Sequence, residues 1–364
     1  MNSDRAAGRV TEKEDAMDKL MQDQRRDVKG FELIDFQDDA DIERMRNMLS
    51  VDTPTTVNWN DWEYGSEVQE LRALYEKGKR NQWNASDDIQ WDQPVSKDEW
   101  LGDPIISMLS QTVKLLGKDE ATQKAAMFDE MNYIVSQLLH GEQAALQICG
   151  QLTNECPTTD EKYYAAQQTA DEARHAEVMA RFLSEKMGTI YPVSPVTKDL
   201  LDRLLAAKGY HKKALGMQTL FEGIAMGILD LMSTNLQNPL FQDITQRVKI
   251  DEARHAAFGV LTMRRAVQEI SEEDRAELED WAFCILEALN ANQQMAMMRV
   301  LGPKYGVDPD MFIEYVVKGE NWAAMNSMLY MHTVMPNLKR LGLMTERTEA
   351  KYREVGIWFD AEAA

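Results

Sequence analysis

One hexapeptide, Asp-Glu-Ala-Arg-His-Ala, occurs twice in this chain of 364 residues, at 171–176 and again at 251–256, an offset of 80 positions. Such internal repetition indicates two copies of one structural unit. Within each copy the glutamate and the histidine stand three residues apart, so on a helix both project from one face and can hold the same metal ion. The repeat therefore predicts a metal site with two equivalent halves.

A further glutamate lies 30 residues upstream of each hexapeptide glutamate, so the offset of 80 relates these positions as well. In an antiparallel helix pair, two residues come level when the turn lies midway between them. Pro157 lies at the midpoint of the first pair, and Pro239 lies within two residues of the second midpoint. Four buried carboxylates would balance the charge of two divalent ions. The six predicted ligands are Glu142, Glu172, His175, Glu222, Glu252 and His255.

Long stretches of the chain run without helix breakers. Only 10 prolines and 19 glycines occur, and the stretches between them are rich in Ala, Leu, Met, Glu, Gln and Lys, which favour helices. The expected fold class is all-α. Long helices are predicted over 119–156, from Thr158 to Gly188, over 210–235, from Pro239 to about Ile270, and from Ser271 to near Gly302; shorter ones are predicted over 61–80, 104–117 and 195–209.

Four stretches of one domain are predicted along the chain. Residues 1–55 are charged and weakly periodic, which indicates an arm. Residues 56–118 combine a helix with a Trp-rich segment that contains Trp83, Trp91 and Trp100. Residues 119–270 form a di-metal four-helix bundle, and residues 271–364 form C-terminal helices packed on this core.

The charge balance excludes several classes of partner. With 61 acidic and 40 basic residues the net charge is −21, which argues against binding to nucleic acid or anionic lipid. No 18 apolar residues run together and no signal peptide is visible, so neither a membrane span nor secretion is predicted. Three cysteines fit neither a disulfide framework nor a CxxC site, which favours reduced thiols in a cytoplasmic enzyme.

In each half a glutamate precedes a Glu-x-x-His sequence by 30 positions, and about 47 positions separate the first half from the second. This spacing resembles that of the ferritin-like di-iron carboxylate superfamily over residues 119–268. The DEARH motif is most similar to the motifs of the oxygen-activating branch of this superfamily, which contains the bacterial multicomponent monooxygenase hydroxylases and the ribonucleotide reductase small subunit. The resemblance implies a ferritin-like four-helix bundle in which Glu142, Glu172 and His175 hold one iron. It assigns the other iron to Glu222, Glu252 and His255.

Three further residues acquire expected roles. Aspartates commonly orient metal-bound imidazoles, and the resemblance implies that Asp171 meets His255 and Asp251 meets His175. The alternative is a local pair of each aspartate with the arginine three residues on. The segment around Trp83 is similar to the reductase stretch in which a tryptophan relays electrons; alternatively, Trp83, Trp91 and Trp100 only pack the extended segment against the bundle.

Departures from the relatives narrow the expected chemistry. Met179 stands where the reductases carry the radical tyrosine, so a role in nucleotide reduction is disfavoured. Met226 replaces the threonine of the monooxygenase hydroxylases, so protons must reach bound oxygen differently. Arylamine N-oxygenases carry a third histidine where this chain has Val248, which places them behind the hydroxylases without excluding N-oxygenation.

The resulting prediction is a non-heme di-iron enzyme that uses O2 to hydroxylate, N-oxygenate or desaturate a small organic substrate held in the bundle core. Electrons from an external ferredoxin or reductase are required, because the chain has no flavin or iron–sulfur motif of its own. A Mn/Fe pair and a homodimer stay open. The alternatives are a radical-generating or ligand-binding oxidase and a non-catalytic iron-binding bundle. The substrate-pocket candidates are Met179, Phe221, Met226 and Phe258.

Overall fold

The computed structural model describes residues 65–290, 292–312, 329–331 and 334–358, and within them every regular element is a helix. The prediction of an all-α fold is confirmed. The predicted arm of residues 1–55 lies outside the described residues.

The predicted ligands lie on four helices that pair as two hairpins, α3 (Glu120–Glu155) with α4 (Thr159–Phe182) and α7 (Glu222–Asn235) with α8 (Pro239–Glu269). Two segments are π-helical. Leu183–Met187 follows α4, and Ala214–Phe221 joins α6 (Tyr210–Lys213) to α7. The helices are α1 (Gln69–Arg80), α2 (Met108–Leu115, after a 3-10 turn at Pro104–Ile106), α3 (Glu120–Glu155), α4 (Thr159–Phe182), α5 (Pro195–Ala206), α6 (Tyr210–Lys213), α7 (Glu222–Asn235), α8 (Pro239–Glu269), α9 (Glu272–Leu289), α10 (Asn292–Tyr305), α11 (Pro309–Phe312), α12 (Val334–Leu341) and α13 (Glu346–Glu354).

Both hairpin turns lie where the midpoint argument places them. The first turn contains Pro157, and Thr158 then caps α4: its hydroxyl accepts a hydrogen bond from the Glu161 backbone N–H at 3.3 Å, while the Glu161 carboxylate accepts one from the Thr158 N–H at 3.1 Å. In the second turn, the Asn238 side chain accepts from the Phe241 N–H at 3.1 Å and starts α8 at Pro239. These caps fix the register of the ligands across each hairpin.

Several of the predicted helices differ from those observed. The helix expected from Ser271 to near Gly302 is two helices, α9 and α10, because the backbone of Asn290 is extended and its side chain donates to the Val355 carbonyl at 2.7 Å. The helix expected over 61–80 spans Gln69–Arg80 among the described residues, and its predicted start at 61–64 lies outside them. The stretch expected over 104–117 divides into a 3-10 turn and α2.

One stretch of the described chain, Tyr210–Asn235, is long and apolar enough to cross a membrane by length and composition. It comprises α6, a π-helical segment and α7, and 56% of its apolar window is buried within the protein. A core helix of a bundle passes the same test, and this stretch carries the buried carboxylate of Glu222.

Candidate metal centre

The six predicted ligands converge in the middle of the bundle. Their donor atoms form two groups, in each of which all atoms lie within 4.8 Å of one another. Glu172 and Glu252 belong to both groups, so each of these carboxylates would contribute to holding both ions. The groups are Glu142, Glu172, His175 and Glu252, and Glu172, Glu222, Glu252 and His255. All six side chains are buried.

Three of these donor atoms are aimed at one another without a hydrogen bond. His175 Nδ1 lies 3.3 Å from Glu172 Oε2 and 3.0 Å from Glu252 Oε1, and all three atoms are buried and have no hydrogen-bond partner. Leaving a buried polar atom unpaired costs about 1–3 kcal/mol, so such a cluster needs a further partner. Carboxylate oxygen and imidazole nitrogen suit divalent iron and manganese. The residues present therefore fit a dinuclear metal site.

Burial and mutual repulsion raise the pKa of two acids of the site, whereas the imidazoles lower the pKa of a third. Burial raises the pKa of Glu142 to about 8, and the negative charge of Glu252 adds to the effect. Burial and the same neighbour raise the pKa of Glu222 well above its ordinary value. Burial also disfavours the charged form of Glu252, but the two imidazoles outweigh it and hold its pKa well below the usual range. At neutral pH, Glu252 thus carries charge, whereas Glu142 and Glu222 hold protons.

The histidines respond to the same field. Burial lowers the pKa of each imidazole, but nearby carboxylates outweigh it, raising the pKa of His255 to about 10 and that of His175 well above its ordinary value. A metal can bind only deprotonated ligands. The protons on the metal-free site must therefore leave when metal enters.

We expect metal uptake at neutral pH to release protons, and metal affinity to rise from about pH 6 to about pH 9, because protons bound in the metal-free state compete with the ion. The pKa values of about 8 for Glu142 and about 10 for His255 place both protons on the site at neutral pH. Anaerobic calorimetric titration with Fe(II) in two buffers of different ionisation enthalpy counts the protons. Uptake without proton release would contradict this protonation pattern.

Each imidazole contacts the aspartate of the opposite hairpin. Asp251 Oδ2 lies 3.1 Å from His175 Nε2, and Asp171 Oδ2 lies 3.4 Å from His255 Nε2. These contacts engage Nε2 and leave Nδ1 toward the carboxylate cluster. The local aspartate–arginine pairs, which are the alternative prediction, are also present. Each aspartate therefore makes both of the predicted contacts, one with the histidine of the opposite hairpin and one with the arginine three residues on.

The arginines of the repeat also cross between hairpins. Arg174 Nη2 donates to Asp171 Oδ1 at 2.8 Å and to Asp251 Oδ2 at 2.7 Å, and Arg254 contacts the same two aspartates. Gln82 joins this network by donating to Asp171 Oδ1 at 3.0 Å. Together these bonds bind the α3–α4 hairpin, the α7–α8 hairpin and the Trp-rich segment.

Trp83 is the one tryptophan of the three named that reaches this network. Its Nε1–H donates to Asp251 Oδ2 at 2.8 Å, and its ring is stacked near His175 with centroids 6.4 Å apart. The Arg174 guanidinium lies 4.7 Å from the indole centroid. Trp91 and Trp100 instead donate to the Ala85 carbonyl and the Glu120 carboxylate. Partly exposed Trp83 thus connects the protein surface with a predicted ligand through a single aspartate.

Gln168 is a site residue that the sequence analysis missed. Its Nε2 donates to Glu172 Oε1 at 2.7 Å and to Glu222 Oε1 at 3.1 Å, so one amide spans predicted ligands from both hairpins. The available signal was its spacing, four residues before Glu172, which places it on the same helical face.

The predicted pocket residues have different positions. Phe221 lines a cavity of about 200 Å³ between α3 and α7, whereas Met179 lines a second cavity of only about 10 Å³. Phe258 packs against the Tyr164 ring at 4.8 Å, and Met226 lines neither cavity. The larger cavity reaches within one helical turn of Glu142 and Glu222 through Leu138, Phe221 and Ala225.

Two of the remaining histidines have local partners. Buried His140 has Nε2 2.9 Å from the Tyr191 carbonyl oxygen, and burial lowers its pKa. The ring of His211 packs on Tyr210 at 4.0 Å. His332 lies outside the described residues.

Comparisons with known proteins give one family. The model of the family "P-aminobenzoate N-oxygenase AurF" matches residues 66–342, more than half of the chain, whereas no curated protein matches. This agrees with the predicted ferritin-like di-iron superfamily. Within that superfamily, the match favours the N-oxygenases, although this chain has Val248 where their third histidine is expected.

Solved structures with similarity to this chain include two R2-like ligand-binding oxidases with an aerobically reconstituted Mn/Fe cofactor. A single-site variant is 17% identical, with 78% of this chain and 95% of that chain covered and a TM-score of 0.46. A long-soaked form is 16% identical, with 78% and 94% covered and a TM-score of 0.43.

Proposed function

The chain belongs to the p-aminobenzoate N-oxygenase AurF family and is an O2-dependent di-iron oxidoreductase; within that class, we propose that it oxygenates a small, largely apolar substrate at the centre formed by Glu142, Glu172, His175, Glu222, Glu252 and His255. The observation that carries this proposal is the pair of buried donor groups with unpaired atoms aimed at one another. N-oxygenation, as in the name of the family, is the reaction to test first.

The chain's own residues would divide the work. The four glutamates and two histidines would hold two ions, which supply O2 activation when bound. Asp171 and Asp251 would orient the imidazoles through Nε2. Gln168 would fix the carboxylates of Glu172 and Glu222 by donating to both.

The larger cavity supports a substrate of limited size. Its volume is about 200 Å³, and a protein cavity of about 150 Å³ is known to bind benzene, so a single-ring or short-chain molecule suits it. Apart from Glu130, Gln137 and Thr197, the residues lining it are apolar or aromatic. The Glu130 carboxylate already accepts hydrogen bonds from Ser107 and from the Leu109 N–H. The remaining lining of the cavity therefore favours a substrate whose main part is apolar.

Narrowing this cavity is expected to weaken the binding of ring-sized substrates without removing metal. Ala225 lines the cavity one turn after Glu222, so Ala225→Phe places a ring in the proposed substrate volume. The KM should rise about 10-fold or more for the larger of two active substrates and less for the smaller. Ala206→Phe, at an exposed position, is the control. Equal kinetics in the two variants would exclude this cavity as the substrate site.

Electrons from an external donor would enter through Trp83. The support is the connection from the partly exposed indole through Asp251 to His175. A ferredoxin or a flavin reductase has the required chemistry, and the chain needs such a donor unless its substrate provides all four electrons that reduce O2 to water.

The test of the function is oxygen consumption by the iron-loaded protein. A Clark electrode or a fluorescent oxygen probe follows pools of arylamines, aliphatic amines and single-ring hydrocarbons with a chemical reductant, and mass spectrometry identifies products 16 mass units heavier. Arylamine-dependent uptake with an N-oxygenated product is expected. Uptake that never exceeds the substrate-free rate in any pool would contradict the proposal and favour a substrate-independent oxidase.

A further inference from the structure

The internal repeat makes the six ligands nearly symmetric, but it does not make their surroundings so. Adding 80 to the residue number of each ligand of the first half gives the number of the matching ligand of the second half. The same offset pairs a polar residue with an apolar one at five positions beside the site, where every residue is buried except Leu138, which is half-buried. These pairs are Gln168 with Val248, Gln218 with Leu138, Cys149 with Leu229, Tyr164 with Ile244, and Thr262 with Phe182.

The five apolar members form one end of the site. We call them the apolar end: Leu138, Phe182, Leu229, Ile244 and Val248. All five line the small cavity of about 10 Å³. The metal centre thus has an apolar side, which faces along α3 toward the N-terminal half of that helix.

The five polar members form the opposite end. We call them the polar end: Cys149, Tyr164, Gln168, Gln218 and Thr262. Gln168 contacts two predicted ligands, and Gln218 Nε2 donates to Cys149 Sγ at 3.3 Å. Cys149 Sγ in turn lies 4.0 Å from Glu172 Oε1. The polar end is therefore continuous with the metal centre.

Four polar atoms at this end have no hydrogen-bond partner within the protein. They are Tyr164 OH, Gln168 Oε1, Gln218 Oε1 and Thr262 Oγ1, and each belongs to a residue that is 0% exposed. Buried polar groups are almost always hydrogen-bonded, and internal water is the usual partner where the protein supplies none. The polar end therefore has the composition of a hydrated site.

Local packing brings these groups from separate helices to one place. A Cβ at Gly259 would lie 2.7 Å from the backbone and Cβ of Gln218, so glycine is required for α8 to approach the π-helical segment this closely. Thr262 follows one turn later on the same face of α8. The Tyr164 ring packs on Phe258, the residue before Gly259.

We propose that the polar end binds a row of internal water molecules and is the route by which protons reach the metal centre. The inference rests on the proposed O2 chemistry. Inserting one oxygen atom of O2 into a substrate bond consumes two electrons and two protons and yields one water; the donor supplies the electrons and solvent supplies the protons. Met226 cannot carry a proton where the related hydroxylases have threonine, whereas the hydroxyls and amides of the polar end can hold water that does.

Two variants remove polar atoms of this end without touching a ligand. Thr262→Val deletes one hydroxyl at nearly constant shape, and Gln218→Leu deletes an amide whose only hydrogen bond in the described structure is to Cys149. We expect normal iron content, single-turnover oxidation by O2 slowed on the order of 10-fold, and a larger solvent deuterium isotope effect. Gln218→Asn, which keeps the amide, should recover part of the rate.

Thr245→Val is the matched control. Thr245 lies seven residues before Glu252, as Thr262 lies seven after His255, and it is also buried on α8. Its hydroxyl is already satisfied, since it donates to the Phe241 carbonyl at 2.9 Å. Its rate and isotope effect should equal those of the wild type. Wild-type values in Thr262→Val and Gln218→Leu as well would overturn the proton route.

A crystal structure of the iron-loaded protein at high resolution tests the water site independently of turnover and of the variants. Ordered water within hydrogen-bond distance of Gln218 Oε1 and Thr262 Oγ1 is expected. A dry polar end in an enzyme that consumes oxygen normally would overturn this inference alone. Ordered water in a protein that consumes no oxygen with any substrate pool would overturn the proposed function and leave the water site standing.

Discussion

Replacing Glu252 by alanine is expected to remove most of the bound metal and all oxygen-dependent turnover. Glu252 belongs to both donor groups, with Oε1 3.0 Å from His175 Nδ1 and Oε2 2.9 Å from His255 Nδ1. Glu172→Ala should have the same effect, because Glu172 is the other shared carboxylate. Iron per chain, measured by plasma mass spectrometry after loading and desalting, should fall from two to well below one.

A matched control separates loss of a ligand from loss of a charge. Glu177 lies on α4 five residues after Glu172, and its side chain is exposed. Glu177→Ala should keep the full iron content and rate. Two ions per chain in both Glu172→Ala and Glu252→Ala would show that the ligand assignment is wrong.

The second large effect is expected at Trp83. Trp83→Phe removes the Nε1–H bond to Asp251 Oδ2, which lies 3.1 Å from His175 Nε2. Changes to groups that support metal ligands commonly cost about 10- to 100-fold in activity, and we expect a loss in that range when a protein donor supplies the electrons. Reduction by dithionite, which does not need a docked partner, should change much less. Stopped-flow absorbance measures both rates.

Trp91→Phe is the control for this experiment. Trp91 is a partly exposed tryptophan of the same segment, but its Nε1–H donates to the Ala85 carbonyl at 2.7 Å and it has no contact with the aspartates of the repeat. It should be reduced at the wild-type rate. Equal rates in Trp83→Phe and Trp91→Phe would leave Trp83 as a packing residue only.

The sequence was sufficient to predict the placement of the six acidic and imidazole residues, because two local rules determine it. The three-residue spacing within each hexapeptide is a property of any helix, and the turns at Pro157 and Asn238–Pro239 are marked by capping residues. Neither rule depends on the rest of the fold. The placement of Asp171 and Asp251 across the hairpins, in contrast, came from the family resemblance and not from spacing.

The surroundings of the site could not be predicted as well, because they depend on how helices face one another. Of the four pocket candidates only Phe221 lines the larger cavity. The π-helical segment Ala214–Phe221 changes the angular position of its residues relative to a regular helix, and no capping or spacing pattern in the sequence marks such a segment. Gln168 was missed because its amide is significant only where α4 meets Glu222.

The crossed contacts between the hairpins mean that the repeat is not a pair of self-sufficient modules. Each hairpin contains its own glutamates and histidine, yet the imidazole of each is held by the aspartate of the other. A defect at Asp171 therefore disturbs the half-site of His255, and one at Asp251 disturbs that of His175. The duplicated sequence therefore acts as one structural unit, in which the half-site of each copy depends on a side chain of the other.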